Sequence, residues 1–307
     1  MPWSWLAALF ALAGASPEER AVEYLAREVP RWATENGCYS CHNNGDGARA
    51  LFVSSRNGFR VPAESLRDTV LYLAQPGEWD RNKGVRPEAK TLVRIQFAAA
   101  LAEASRAGNP IAPDALKQAA ALVAESQRED GSWASAAAGL TGAPGTYGDP
   151  LATWLAVCVL ESSGNYEAAV ANARRWARAA SAKATPDAAA LVLMLSASKD
   201  AKDVAKATTA LEHLTRSQAR DGGWGPFPGT PTEVFDTAVA VIALKASGSA
   251  TYREAIDRGR RYLITSQVSD GGWVETTRPS GAQSYAQRIS TSAWALLALV
   301  ESRNPTH

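Results

Sequence analysis

The residues best suited to chemistry lie in one short segment near the N-terminal end of the chain. Cys38, Cys41 and His42 fall within five positions of the stretch "NGCYSCHNNGDGARAL", although the 307 residues contain only 3 cysteines and 3 histidines. Thiols and imidazoles bond to cofactors, bind metals and exchange electrons. Their concentration here indicates a shared role rather than chance.

The order of these three residues is Cys-x-x-Cys-His, the attachment signature of c-type haem. Two thiols three residues apart on one helical turn can reach the two vinyl groups of one porphyrin, and the next side chain offers an imidazole to the iron. In these residues the segment resembles the motif of c-type cytochromes. The resemblance implies thioether bonds from Cys38 and Cys41 to haem c, with His42 as the metal ligand.

Two other uses of the segment stay open from the sequence. Cys38 and Cys41 could form a disulfide in an exported protein, with His42 lowering a thiol pKa as in redox motifs. Thioredoxin-like chemistry, however, comes with a βαβ scaffold, and the chain shows no strand pattern. A structural zinc site would need a fourth protein ligand, and no second cluster of Cys and His supplies one.

A second axial ligand for the haem is harder to find. Met194 lies in the apolar run "AAALVLMLSAS", where methionine typically fills the core. His213 occupies the aromatic position of its helix, which favours packing, and His307 is close to the chain end. Cys158 in "WLAVCVLES" is predicted to be a small buried apolar residue. A five-coordinate haem is therefore compatible with the sequence.

The elements around the motif repeat along the chain. Three turns are nearly identical: "SQREDGSW", "SQARDGGW" and "SQVSDGGW", which end at Trp133, Trp224 and Trp273. The interval between the last two is about half the interval between the first two, so a degenerate unit is expected around Trp176. One weaker copy of this turn ends at Trp79. A weaker copy of the helix that precedes the turn begins at Arg20.

Six units result, each with an amphipathic helix, a Gly-rich turn and a more apolar second helix. The second helices, such as "FDTAVAVIALKASG", are too apolar to face water, whereas the first helices carry charges on one side. We therefore predict an all-α fold, an α/α toroid of about six helix pairs with apolar helices inside and amphipathic helices outside. Closing the ring removes the exposed ends of an open array.

The repeated Gly-rich turns resemble those of a known superfamily. The segment "RGRRYLITSQVSDGGW" is similar to the QW motif of the terpenoid cyclases and protein prenyltransferases, in which the Gln and Trp of each turn join adjacent outer helices. This resemblance covers nearly all of the chain after the N-terminal segment and implies an α/α toroid. It does not by itself imply cyclase chemistry.

The catalytic residues of that superfamily are only partly present. Squalene-hopene cyclases protonate an alkene with the central acid of a DxDD motif, and the best match here places Glu233, Phe235 and Asp236 at the three acid positions. Phe cannot donate a proton, so Asp236 is the remaining catalytic candidate, predicted to line the cavity. Asp149 and Asp187, also at starts of inner helices, are predicted to act chiefly as helix caps. The zinc ligands of prenyltransferases and the CGEQ thioester motif are absent.

Composition and the N-terminal segment limit the location and the partners. With 32 Lys and Arg against 31 Asp and Glu, the net charge is +1, which argues against nucleic-acid binding. Residues 1–15 resemble a signal peptide, with an apolar run followed by Ala-Gly-Ala, and the run is too short to span a bilayer. We expect an exported, periplasmic or extracellular protein, with residues 16–307 forming a single toroid domain that carries the motif at 38–42.

The sequence therefore predicts an exported toroid that binds one covalent haem c at the cavity rim, for electron transfer or small-ligand sensing. A redox partner protein or a small apolar ligand would accompany it. Because the motif replaces a Gly-rich turn, the haem should lie where the inner helices begin, near Asn43 and Asn44, with Arg278 and Arg288 as candidate propionate partners. The alternatives are a toroid enzyme acting on an isoprenoid or other apolar substrate in the central cavity, and a protein-binding scaffold.

Overall fold

The computed structural model describes residues 14–83, 89–134, 141–276, 278 and 284–303. Of the predicted signal segment only Gly14 and Ala15 fall within these ranges, and His307 lies outside them. The described residues form twelve α-helices and no β-strand, apart from an isolated bridge between Trp224 and Glu233. The predicted all-α class is confirmed.

The helices alternate along the chain between an outer and an inner ring, which is the predicted α/α toroid. The outer helices are α1 (Pro17–Asn36), α3 (Arg67–Leu73), α5 (Pro113–Ala124), α7 (Glu167–Ala179), α9 (Ala201–Ser217) and α11 (Arg253–Thr265). The inner helices are α2 (Ala48–Arg56), α4 (Lys90–Arg106), α6 (Asp149–Ser163), α8 (Thr185–Leu195), α10 (Val234–Ala246) and α12 (Tyr285–Glu301). A π-helix (Cys41–Gly47) precedes α2, and short 3₁₀ turns cover Ala63–Ser65, Pro76–Arg81 and Ala250–Tyr252.

Burial follows the apolar pattern of each helix. In α10 every residue from Val234 to Leu244 is buried, whereas the outer helix α7 buries only Val170, Ala173 and Ala177. An inner helix contacts two inner neighbours and an outer helix, so all of its sides need apolar residues. An outer helix faces water on one side and needs a single apolar stripe.

The first helix begins where its local sequence predicts. The Ser16 hydroxyl accepts from the Glu19 backbone N–H, the Glu19 carboxylate accepts from the Ser16 N–H, and Pro17 takes the first helical position. This capping box satisfies donors that the helix itself leaves free. Within the described part of the chain, no helix combines the length and the apolar character needed to cross a bilayer.

The three complete Gln–Trp turns have one common geometry. Each Gln Nε2 donates to the Gly carbonyl of its own turn and to a carbonyl at the start of the next outer helix. For Gln127 and Gln218 the second acceptors are Ala169 and Ala255, at 2.8 and 2.9 Å. The indole N–H groups of Trp133, Trp224 and Trp273 each donate to a carbonyl of the preceding outer helix, at 2.7 to 2.8 Å. The motif therefore joins successive outer helices, as its resemblance implies.

The same contacts close the ring. Gln267 Nε2 donates to the Pro17 carbonyl at 2.8 Å, although the two residues lie at opposite ends of the chain. Gly271 has a positive φ of 92° and packs so closely on the Arg20 carbonyl that a Cβ atom would collide with it. On the inner ring, α12 packs against α10 on one side and against the π-helix and α2 on the other. The last helix pair thus contacts the first pair in the same way as neighbouring pairs within the chain contact each other.

Candidate functional site

The inner helices surround a cavity of about 530 Å³. Its walls are drawn from all six inner helices, and the larger apolar side chains among them are Val53, Trp154, Leu155, Leu193, Ile242, Trp294 and Leu297. Charged residues stand at the C-terminal ends of these helices, where Arg106, Glu161 and Glu301 are exposed. The cavity therefore opens at the end of the toroid where the inner helices finish.

Aromatic side chains form the deep end of this cavity. The Trp294 ring is fully buried and lies at the centre of a cluster, with ring centroids 5.5 Å from Tyr147, 5.7 Å from Phe235 and 6.2 Å from Trp154. The Arg49 guanidinium sits over the same indole, 4.5 Å from its centroid. Such stacking is attractive because the face of an aromatic ring is electron-rich.

Most charges near the mouth are paired. Glu103 binds Arg106 at 2.5 Å and Arg56 at 3.2 Å, and Glu161 binds Arg174 at 2.8 Å. Glu301 is exposed and has no ion pair within 4 Å among the described residues, although the Arg49 guanidinium acts on its carboxylate over a longer distance.

A buried carboxylate closes the other end of the toroid. Asp46, in the π-helix, is 1% exposed and accepts from three side chains: Gln96 at 3.0 Å, Ser290 at 2.7 Å and the Tyr147 hydroxyl. These donors come from α4, α12 and the loop before α6, so Asp46 ties together three distant parts of the chain. A buried ionised carboxylate needs several donors to be stable.

Glycines allow the π-helix to enter this space. A Cβ atom at Gly45 would lie 3.1 Å from Gln96 Cβ, and one at Gly47 would lie 3.0 Å from Val29. Asn43 and Asn44 are fully buried and donate to the carbonyls of Glu28 and Val29. The residues after the Cys-x-x-Cys-His motif thus fill the toroid axis at the end where inner helices begin.

His42 lies at this closed end, next to unit six. Its Nδ1 atom is 2.8 Å from Ser290 Oγ, and that hydroxyl donates to Asp46. In the neutral tautomer that donates from Nδ1, the imidazole is oriented by a Ser–carboxylate pair, and Nε2 has no hydrogen-bond partner among the described residues. Burial lowers the pKa of His42, which favours the neutral ring.

The two cysteines of the motif are half-buried and not bonded to each other. Burial raises the pKa of the Cys41 thiol to about 12, so Cys41 lacks the lowered pKa of a reactive redox thiol. The described residues contain no group of three or more His, Cys, Asp or Glu side chains arranged to hold a metal ion.

The structure shows what surrounds the residues that were predicted to lie near a haem. The motif lies at the closed end of the toroid rather than at a cavity rim, because the π-helix and Asp46 fill the axis between it and the cavity. Asn43 and Asn44 are held by backbone carbonyls. The two candidate propionate partners are already paired, Arg278 with Asp236 at 2.7 Å and Arg288 with Asp270 at 2.7 Å.

Asp236 does not line the central cavity, contrary to prediction. Its carboxylate is fully buried and accepts from both terminal nitrogens of Arg278, which also binds Glu233 at 2.6 Å. Burial raises the pKa of Asp236 to about 7, and the nearby guanidinium opposes that rise. Arg278 also donates to the Gly142 carbonyl. Its contacts therefore join the loop before α6, the start of α10 and the loop before α12. A catalytic role of Asp236 stays a prediction.

The two predicted caps differ in the structure. Asp187 stands at the third position of α8 and accepts from the Ala184 backbone N–H at 3.1 Å, as a capping residue does. Asp149 stands at the first position of α6 and binds Arg128 at 3.0 Å.

The remaining residues singled out in the sequence lie apart from the motif. Met194 is 5% exposed and belongs to the core, as predicted. His213 is half-buried on the outer helix α9, and burial lowers its pKa. Cys158 was expected to be plain core, but it faces the central cavity.

Sequence reasoning missed the two charged residues at the centre of the toroid. Asp46 and Arg49 lie three positions apart, directly after the motif, in "GDGARAL". The pattern that could have identified them is a pair of opposite charges, Asp46 and Arg49, at the start of an otherwise apolar inner helix.

Comparison with known proteins relates the C-terminal part of the chain to one enzyme family. Residues 176–306 match the family model described as the squalene-hopene cyclase C-terminal domain. The drimenyl diphosphate synthase of Streptomyces showdoensis is 35% identical over 98 residues, which is 31% of this chain and 18% of that protein. The lanosterol synthase of Aspergillus fumigatus is 35% identical over 104 residues, covering 31% of this chain and 13% of that protein. The matches thus span less than a fifth of these relatives.

Solved structures extend the comparison to nearly the whole chain. A variant of the type II terpene cyclase MstE from Scytonema, in complex with merosterolic acid A, superposes with a TM-score of 0.57 at 15% identity, covering 93% of this chain and 98% of that one. A glycosidase gives the same TM-score at 15% identity, over 94% of this chain and 98% of its own. At such identities the likeness shows the fold alone, and two different chemistries share it.

Proposed function

Since the chain belongs to the terpenoid cyclase α/α-toroid superfamily, we propose that its central cavity binds an isoprenoid or a comparably apolar molecule. The observation that carries this proposal is the cavity itself, which opens at one end and is walled by apolar and aromatic side chains from all six inner helices. Removing an apolar molecule from water into such a site is favourable in proportion to the area buried. Relatives that act on diphosphate-bearing or triterpenoid chains support the choice of an isoprenoid.

Proton-initiated cyclisation through the usual acid segment is not part of this proposal. Phe235 occupies the place of the proton donor and packs against Trp294, and Asp236 is held by Arg278 outside the cavity. We therefore propose binding of an apolar molecule and assign no catalytic acid in the cavity.

The test measures binding of farnesol, a 15-carbon isoprenoid alcohol, by isothermal titration calorimetry. We expect saturable binding with one site per chain. Ala102→Trp should abolish it, because the new indole would fill the cavity that Ala102 lines. Val204→Trp is the matched control, since Val204 is 46% exposed on an outer helix. Absence of saturable binding to the wild-type protein, or equal loss in both variants, would refute the proposal.

A second candidate function is covalent haem attachment at the closed end, and His42 is the observation that favours it. A haem-ligating His commonly donates its other ring N–H to a fixed acceptor, which sets the tautomer and orientation. His42 has that arrangement through Ser290 and Asp46, with Nε2 left for a metal. Cys38 and Cys41 would supply the thioether sulfurs. A bound haem would supply one-electron redox chemistry or ligand binding. This candidate function also includes export through residues 1–15 and a redox partner protein.

This candidate is tested by expression in bacteria that carry a cytochrome c maturation system. The expected result is a haemochrome spectrum of c type and a mass increase of one haem, both removed by Cys41→Ala. Cys158→Ala is the control, because that cysteine faces the central cavity instead. Protein from its native host with Cys38 bonded to Cys41, or matured protein without covalent haem, would rule this candidate out.

A further inference from the structure

Arg49 is a buried cation that has no hydrogen-bond or ion-pair partner among the described residues. It is 5% exposed and lines the deep part of the cavity. Its Nε and Nη2 atoms are buried and make no hydrogen bond, and none of the described carboxylates lies within ion-pair distance of it. Leaving charge-bearing donors unpaired inside a protein is strongly destabilising. A partner other than the described side chains is therefore expected.

The two unpaired atoms form one edge of the guanidinium. Nε–H and Nη2–H point the same way, and together they make the fork that binds two oxygens of one anion. Arg94 shows this use within the same protein, since its Nε and Nη2 bind the two oxygens of Asp80 at 3.0 and 2.6 Å. The open edge of Arg49 thus has the geometry of a carboxylate or phosphate site.

Nearby acids are not available to fill this edge. Asp46, on the preceding turn, accepts from Gln96, Tyr147 and Ser290. Glu103 is bound to Arg106 and Arg56. Glu301 is the one unpaired acid of the described cavity lining, and it lies at the C-terminal end of α12 near the mouth, whereas Arg49 is the second residue of α2 at the deep end.

We infer that the cavity ligand is an amphipathic anion whose carboxylate or phosphate head binds the Nε–Nη2 edge of Arg49. The apolar tail then runs past Val53, Leu193 and Leu297 toward the mouth. This inference rests on the proposed function, because it gives the head group of the molecule that the cavity binds. Trp294 supports the site, since its ring stacks on the Arg49 guanidinium with the centroid 4.5 Å from the central carbon.

The experiment compares three probes with the same tail: farnesol, farnesoate and farnesyl phosphate. Dissociation constants from calorimetry should show that at least one anionic probe binds at least about tenfold more tightly than the alcohol, the factor for one charge-assisted contact. The anionic probe that binds more tightly, farnesoate or farnesyl phosphate, identifies the head group as carboxylate or phosphate. Arg49→Gln should remove the preference, so that the three probes bind with similar dissociation constants.

Two further measurements separate a binding role from a structural one. Arg106→Gln, at the mouth, should keep the preference for the anion, because Arg106 is paired with Glu103. Arg49→Gln should also leave the urea midpoint of the ligand-free protein unchanged or higher, because an unpaired buried charge is removed. Equal affinity of all three probes, a preference that survives Arg49→Gln, or a lower midpoint would overturn the inference alone. Failure of every probe to bind would overturn the proposed function as well.

Discussion

Replacing Gln267 with Ala tests whether the ring is closed in solution. This side chain makes the seam between the last turn and the first helix, donating to the carbonyls of Gly271 at 2.9 Å and Pro17 at 2.8 Å and accepting from Arg20 at 2.5 Å. Gln218 is the matched residue at an internal joint. It donates to Gly222 and Ala255, both at 2.9 Å.

The expected cost follows from these bonds. A protein hydrogen bond contributes about 0.5 to 1.5 kcal/mol net. Loss of two bonds in Gln218→Ala should therefore lower the free energy of unfolding by about 1 to 3 kcal/mol. Loss of three bonds in Gln267→Ala, one of them to a charged group worth about 1.5 to 3 kcal/mol, should lower it by about 2.5 to 6 kcal/mol. The seam substitution should cost at least as much as the internal one.

Urea unfolding followed by circular dichroism and by tryptophan fluorescence measures both changes. The slope of free energy against urea should match the wild-type value in both variants, so that the shift in midpoint reports stability. If the seam were open in solution, Gln267 would keep only its bond to Gly271, and its replacement would cost about 0.5 to 1.5 kcal/mol, less than the replacement of Gln218. A normal cost for Gln218→Ala with that small cost for Gln267→Ala would refute ring closure.

Three other predictions concern the closed end of the toroid. The folded state holds the Asp236 proton more tightly than the unfolded state, so the stability gained from Asp236 is fully present below pH 4 and is lost as the pH rises through about 7. Urea midpoints of the wild type should therefore fall between pH 4 and 8 relative to those of Asp236→Asn. Parallel curves for the two proteins would contradict this prediction. Gly45→Ala should cost about 1 to 3 kcal/mol by overpacking against Gln96, measured by urea unfolding, whereas an unchanged midpoint would show that α4 can move. Asp46→Ala leaves three donors unpaired and should lower the thermal midpoint by several degrees or more; retention of the wild-type midpoint would mean that water replaces the carboxylate.

The fold was largely predictable because its signals are local and repeated. Each Gln–Trp turn carries its own chemistry: a glycine at positive φ, a Gln that reaches back to that turn, and a Trp that bonds to the preceding helix. A repeat of helix pairs with apolar second members has few ways to bury them other than an inner ring. Even the seam was implied, because Arg20 and Tyr24 repeat the residues that the other turns contact.

The candidate site was only partly predictable. Sequence reasoning selected Cys38, Cys41 and His42 because rare residue types were concentrated there, and it placed them correctly where inner helices begin. It did not find the orientation of His42, since the partner Ser290 is almost the whole chain away. It also assigned Asp236 to the cavity, because nothing local indicates that Arg278 binds this carboxylate.

The sequence by itself determined the helix pairs, their inside and outside, and the turns that join them, because helix starts, glycine turns and apolar faces depend on residues a few positions apart. The tertiary structure alone decided which charges are paired. Asp46 accepts from side chains of three distant segments, whereas Arg49, three positions later in α2, donates to no acceptor among the described residues and faces the cavity. That difference arises because hydrogen bonds and ion pairs depend on distances in space, which are settled only once the ring has closed.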